Sequence, residues 1–436
     1  MIVLKFGGSS VDTPEKIRTI EEIVRNELPR NPIVVVSALR GITDELITFA
    51  RQSYDENPAA NSTFNRIRLR HYNLDSALGL GLFMPEEYNA LLHASSHREI
   101  SFLQYLDSIQ SYGEILSSKI LSTYLRSRGI NTTQFNAYDL GLQTNSDFTK
   151  AEYIPESLQE IKRIVSSLDT IPIVTGFIAK DVYGNPTTLG RNGSDYSAAI
   201  FANALDAEEL QIWTDVDGVL AADPKIVEDA KPIKELSFRE ASELAYFGAK
   251  VIHPKALKPA RAKNIPVRVL NTLNPYNEGT LIRDREVNDG VKAIASRNDI
   301  TILNIESVGM LGAYGFLAKI FEIFDRYKKS VDVIATSEVS VSCTIDEPEN
   351  LDSIIQDLEK FGTIRVHQGK CLICVVGDGI RYTSGVAGRT FGVLGRNNIN
   401  VEMISHGASS SNLTFLISGN LESKVVRLLH KEFIDN

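Results

Sequence analysis

Ile2-Val3-Leu4-Lys5-Phe6-Gly7-Gly8-Ser9-Ser10 decides the fold class. Ile2-Val3-Leu4 reads as a short strand that runs through a lysine into a glycine pair. Thr13 follows as an N-cap and Pro14 as the first helical residue, with Ile17, Ile20 and Val24 on one helical face. Ile33-Val34-Val35-Val36 is then a continuous apolar run of the kind buried on both sides in a parallel sheet. The style returns at Ile171–Val174, Leu210–Trp213 and Ile265–Leu270. Strands alternating with helices predict an α/β fold, a mainly parallel sheet sandwiched by helices. Residues 57–128 are mostly helical in pattern, an α-rich excursion from that sheet.

The text turns polar between Arg283 and Gly290, a candidate boundary, and an internal repeat lies beyond it. Laying 315–344 over 385–414 matches Gly315 with Gly385, Phe321 with Phe391, Arg326 with Arg396 and Val331 with Val401. Ile334 with Ile404, Ser340 with Ser410 and Thr344 with Thr414 complete seven identities, where composition alone gives about two. Each copy reads strand, glycine loop, amphipathic helix, strand, turn, strand, so two copies of one small α/β unit are expected to pack together.

The 436 residues, 43% hydrophobic and 23% charged, suit a soluble globular chain of two or three domains. A net charge of −9 argues against general nucleic-acid binding. Three cysteines exclude a disulfide scaffold and fit a reducing compartment. No apolar run approaches the roughly 18 residues of a membrane span, and no signal peptide is read at the N-terminus, so a cytoplasmic protein is expected.

Two clusters stand out chemically. Lys5-Phe6-Gly7-Gly8 lies at the C-terminal edge of a strand, where open α/β sheets bind ligands; it reads either as an anion cradle or as a plain glycine turn. Gly190-Arg191-Asn192-Gly193-Ser194-Asp195 opens a helix. Ser194 or Asp195 can cap that helix, but capping does not require an arginine, whose planar fork suits a carboxylate or phosphate. Trp213-Thr214-Asp215-Val216-Asp217-Gly218, Ser37–Thr43, Gly113-Glu114 and Gly248-Ala249-Lys250 are each explicable as turns, caps or solvated charge. Cys371 and Cys374 fall in a strand pattern with i and i+3 on opposite faces, and His93/His97 lack a third ligand, so no metal site is read. P-loop, protein-kinase and G-x-S-x-G signatures are absent.

Taken in order, these motifs carry a resemblance. K-F-G-G-S-S at Lys5, S-A-x-x-G-I-T at Ser37–Thr43, G-E at Glu114, G-R-x-G-S-D at Gly190–Asp195 and W-T-D-V-x-G…D-P followed by G-A-K-V-I-H-P span the chain. It resembles the monofunctional aspartokinases of the amino-acid kinase superfamily, of the lysine-sensitive type, with tandem C-terminal ACT domains. The resemblance implies a catalytic domain at 1–290 and two ferredoxin-like (βαββαβ) ACT domains. The first spans 299–370 and holds the effector site; the second joins 291–298 with 371–436. It implies transfer of the ATP γ-phosphoryl group to the side-chain carboxylate of L-aspartate, with Mg2+ carried by ATP.

By the same resemblance Lys5, Asp195 and Lys250 are catalytic, and Thr43, Glu114, Arg191 and Ser194 bind the substrate. Lys5, Gly7, Gly8, Ser9, Thr214, Asp215, Lys225 and Lys250 line the ATP site. Asn192 stands where the family commonly has glycine, Leu220 where lysine-sensitive members often have an aromatic residue, and Lys225 where arginine is frequent. An L-lysine effector is implied at Met310, Gly315, Phe316, Leu317, Ser330, Val331, Asp332, Thr336, Ser337 and Glu338, together with a homodimer or higher assembly through the ACT domains. Glu402 keeps the charge of Asp332 in the second copy, whereas Ala408 replaces Glu338, so the first copy is the expected effector site. The alternatives are another small-metabolite kinase of the superfamily and a non-catalytic amino-acid sensor.

Overall fold

The computed structural model describes residues 1–247, 254–284, 290–311, 314–346, 349–407 and 411–435. They divide into two compact units. The first comprises the described residues within 1–219, 232–238 and 250–284; the second comprises those within 220–231, 239–249 and 285–436.

The first unit is built on an eight-stranded sheet. Its order is Thr132–Phe135, Ile171–Thr175, Pro32–Val36, Ile2–Phe6, Leu210–Thr214, Val267–Asn271, Thr280–Ile282 and Glu235–Leu236. Every pairing is parallel except that of Val267–Asn271 with Thr280–Ile282. Ile2–Phe6 and Pro32–Val36 are buried at all positions, as unbroken apolar runs require. Leu4, Phe6, Val34 and Val36 enter one core with residues of helices Pro14–Glu27, Ile42–Tyr54, Ala59–Leu78 and Tyr112–Ser127. Alternation along the strand then turns Lys5 to the opposite face. There it meets helix Gly193–Ala204, which is buried along its whole length.

Local signals behave as their chemistry demands. The Thr13 hydroxyl accepts the N–H of Lys16 at 3.4 Å, Pro14 opens the helix, and Ile17, Ile20 and Val24 face inward. The α-rich excursion comprises Ala59–Leu78, Pro85–Ala94, Phe102–Gln110 and Tyr112–Ser127.

The second unit carries a six-stranded antiparallel sheet. Its order is Ile334–Thr336, Ser340–Ile345, Ala293–Glu306, Thr363–Val376, Asn412–Ser418 and Met403–Ser405. Two strands of 14 residues, Ala293–Glu306 and Thr363–Val376, pair with each other and serve both copies of the repeat. One core gathers Leu303, Ile305, Ile320, Phe324, Val341 and Ile354; the other gathers Ile294, Ile373, Val386, Leu394, Phe415 and Val425. Ala222 and Val227 join the second of these cores, so residues 220–231, though part of the stretch 1–290, pack with the repeats. Cys371 sits in that core, while Cys374, three positions on, accepts a bond from the Thr414 hydroxyl at 3.6 Å. Both are free thiols, pushed above their ordinary range by burial.

Candidate active site

The C-terminal ends of Ile2–Phe6, Pro32–Val36 and Ile171–Thr175 lie side by side in parallel register, and the loops that follow them enclose a cleft of about 560 Å3. Lys5, Gly8, Thr43, Glu114, Arg191, Ser194 and Asp195 all line it. Side chains separated by up to 190 positions in the chain therefore meet at one sheet edge, where an open α/β sheet offers its ligand site.

Lys5 and Asp195 form the floor. Lys5 Nζ lies 2.5 Å from Asp195 Oδ1, with only 10% and 8% of the two side chains exposed. Burial of an unpaired lysine is costly, so the carboxylate offsets that cost and fixes the direction of the side chain. Gly8 is needed because a Cβ there would lie 2.6 Å from the Ala38 carbonyl oxygen; its own carbonyl accepts the Arg40 N–H at 3.2 Å, tying the two loops together.

Glu114 lies in the first turn of helix Tyr112–Ser127, fully buried. Its Oε1 accepts the Ala38 N–H at 3.1 Å, while Oε2 has no hydrogen-bond partner among the described residues. Burial pushes its carboxyl up to about 8. A buried, half-satisfied carboxyl on a cleft wall is an acceptor prepared for a cation or donor brought by a ligand.

The helix bearing Ser194 and Asp195 is capped by neither of them, so the plain capping alternative for that motif falls away. Asn192, at φ 56° and ψ 30°, is the N-cap, and the helix begins at Gly193. Asparagine tolerates this left-handed geometry, so the first turn starts early and neither Ser194 nor Asp195 caps it. Arg191 is exposed at the rim.

Gly7, Ser9, Thr214 and Asp215 stand at the same sheet edge without lining the cleft. The Gly7 N–H donates to the Trp213 carbonyl at 3.1 Å, and Thr214 ends the neighbouring strand with its hydroxyl 3.2 Å from Asp215 Oδ1. Lys225 falls in the segment 220–231 of the second unit, exposed, with its backbone N–H on Asp223 Oδ1. Lys250 lies outside the described residues. Arg40, Asp44, Gln110, Thr149 and Phe177 also line the cleft and were not singled out from sequence. Thr149 and Phe177 take φ of 69° and 65°, a conformation their residue types do not announce.

Within the second unit, Met310, Phe316 and Val331 pack on the core of the first copy. Gly315, at φ 74°, opens helix Phe316–Arg326, and Leu317, Ser330, Thr336, Ser337 and Glu338 are exposed. Asp332 is partly buried, with its side chain only 3% exposed. Its Oδ1 accepts the Tyr246 hydroxyl and lies 3.9 Å from the Arg297 guanidinium, whereas Oδ2 is unpartnered among the described residues. Burial raises its carboxyl above the usual range. No helix among the described residues is long and apolar enough to cross a membrane.

The family model "Amino acid kinase family" matches residues 1–271, and that of the "ACT domain" matches 303–353 and 373–433. Aspartokinase 1, chloroplastic, of Arabidopsis thaliana is 35% identical over 459 aligned positions, covering 100% of this chain and 80% of its own. The crystal structure of E. coli aspartokinase III in complex with aspartate and ADP (R-state) superposes with a TM-score of 0.85 at 33% identity, covering 99% of both chains. The same E. coli enzyme in complex with lysine and aspartate (T-state) gives 0.81 at 34%, covering 100% of this chain and 99% of the other.

Proposed function

This chain belongs to the amino acid kinase family and is an ATP-dependent aspartate kinase, and from that premise we propose which of its residues perform the reaction. The acceptor is the side-chain carboxylate of L-aspartate and the product 4-phospho-L-aspartate. A carboxylate with a reference pKa near 3.9 is already ionised at neutral pH, so no general base is required. The obstacle is the approach of two anions, and catalysis is positioning plus positive charge.

Lys5 and Lys250 neutralise the transferring phosphoryl group, and Asp195 orients Lys5. Arg191 grips the α-carboxylate of the acceptor and Glu114 its α-ammonium, with Thr43 and Ser194 bonding around it. Gly7, Gly8, Ser9, Thr214 and Asp215 receive the nucleotide, and magnesium enters as part of MgATP. The observation that carries this reading is the buried Lys5–Asp195 pair in the cleft that also holds Glu114 and Arg191. A coupled ADP-release assay with aspartate, glutamate and acetylglutamate tests it; aspartate is expected to be preferred, and preference for another acceptor overturns it.

Glu114 makes the acceptor site pH-dependent. Burial holds its carboxyl up at about 8, whereas an ammonium partner requires the ionised form. The KM for aspartate is therefore expected to fall as pH rises from 6 towards 8, by up to about tenfold per unit, and to level off above. A KM that stays flat from pH 6 to 8.5 removes Glu114 from the ammonium site.

We assign 1–290 to catalysis, 299–370 to the first ACT domain and 291–298 with 371–436 to the second. L-Lysine is the proposed effector, at the first copy. The Oδ2 of Asp332, unpartnered among the described residues on a side chain only 3% exposed, supports this, because it is an acceptor for a lysine ammonium. Asp332→Ala is expected to raise the lysine concentration for half-inhibition at least tenfold, measured by titrating lysine into the activity assay. A cytoplasmic homodimer is proposed, with exposed Ile334 and Ile404 on the second unit's sheet as apolar surface for a second copy; light scattering reads its mass.

A further inference from the structure

One wall of the acceptor cleft is built from two turns, and a single buried carboxylate ties them together. Asp107 lies on helix Phe102–Gln110, fully buried beside apolar Tyr105, Leu106 and Ile109. Its Oδ2 accepts the N–H of Thr149 at 2.8 Å and the N–H of Thr188 at 2.9 Å, and its Oδ1 accepts the Thr188 hydroxyl at 2.6 Å. Thr149 lines the cleft at φ 69°, a left-handed geometry that a β-branched residue keeps only when its surroundings impose it. Thr188 ends strand Pro186–Thr188, and its carbonyl accepts the Ala151 N–H at 2.9 Å, so the two turns also bond each other. Gly190, at φ 79°, passes so close that a Cβ would stand 3.1 Å from the Thr149 carbonyl oxygen. Arg191 follows immediately. Burial lifts the Asp107 carboxyl to about 6 despite three donors, the mark of an acid kept in an unfavourable place by what it holds.

We propose that Asp107 is a positioning residue for phosphorylation of aspartate: its carboxylate locks Thr149 and Thr188, and through them the turn that presents Arg191, in the geometry that grips the acceptor. The inference rests on the assignment of Arg191 to the acceptor given above. Asp107 does not itself line the cleft, so its effect passes through the two turns and falls on the acceptor rather than on the nucleotide.

Steady-state kinetics of the full-length Asp107→Asn enzyme test this. The amide cannot accept from all three donors, and the KM for aspartate is expected to rise on the order of tenfold, with kcat and the KM for ATP within about twofold of wild type. Thr188→Val removes one donor only and guards against poor folding of the first variant; a rise of about two- to fivefold in the aspartate KM is expected. Thr149→Gly added to Asp107→Asn relieves the left-handed strain and is expected to recover part of the aspartate KM; Tm measured on the same variants separates this from a change in overall stability. An aspartate KM unchanged in both single variants, both KM values rising together, or no recovery in the double variant overturns the proposal. A wild-type enzyme that does not prefer aspartate instead overturns the acceptor assignment, a separate result in the same assay.

Discussion

Lys5→Met is expected to lower kcat about a thousandfold or more, with a much smaller change in the KM for aspartate. The substitution keeps chain length and removes only the cation that meets the transferring phosphoryl group. It also strands Asp195, whose side chain is 8% exposed and paired with Lys5 at 2.5 Å. Removing one partner of such a buried pair costs about 3–5 kcal/mol of stability, so a fall in Tm is expected alongside the fall in rate. Lys5→Met with Asp195→Asn separates the two effects. Neutralising both members removes the uncompensated charge, so Tm returns towards wild type while kcat stays low. Turnover of Lys5→Met within tenfold of wild type would refute the catalytic role of Lys5.

The second large effect is expected at Arg191. Arg191→Ala should raise the KM for aspartate about a hundredfold, because two charge-assisted bonds to one carboxylate are lost. The KM for ATP should barely move. Arg191 is exposed, so its truncation leaves stability within about 0.5 kcal/mol and the kinetics are read on a folded enzyme. Arg191→Lys keeps the charge without the planar fork and should fall between the two. A rise confined to the ATP KM would exchange the acceptor and nucleotide sides of the cleft.

The parallel sheet was legible because strands buried on both faces must be continuously apolar, as Ile33–Val36 is, and because Thr13-Pro14 marks a helix start by local chemistry alone. Lys5, Gly8, Thr43, Glu114, Arg191, Ser194 and Asp195 were legible through their motifs and converge on one cleft. What remained hidden was non-local. Nothing in residues 220–231 declares that Ala222 and Val227 will pack beside Ile294 and Phe415, because an apolar side chain does not name its partner. The helix start at Gly193 depended on Asn192 adopting φ 56°, an allowance of its residue type rather than an instruction. Thr149 at φ 69° is harder still, since its residue type argues against that conformation and the carboxylate that accepts its N–H, Asp107, lies 42 positions away. Asp107 carries no motif of its own, and its partners Thr149 and Thr188 lie 42 and 81 positions away.

The two 14-residue strands shared by the repeats have a further consequence. Ala293–Glu306 and Thr363–Val376 run from one half of the six-stranded sheet into the other, so neither half owns a complete set of strands. Severing the chain between them would leave two torn edges rather than two modules. The region is accordingly expected to melt in a single event, which calorimetry reads, because both halves rest on the same two strands.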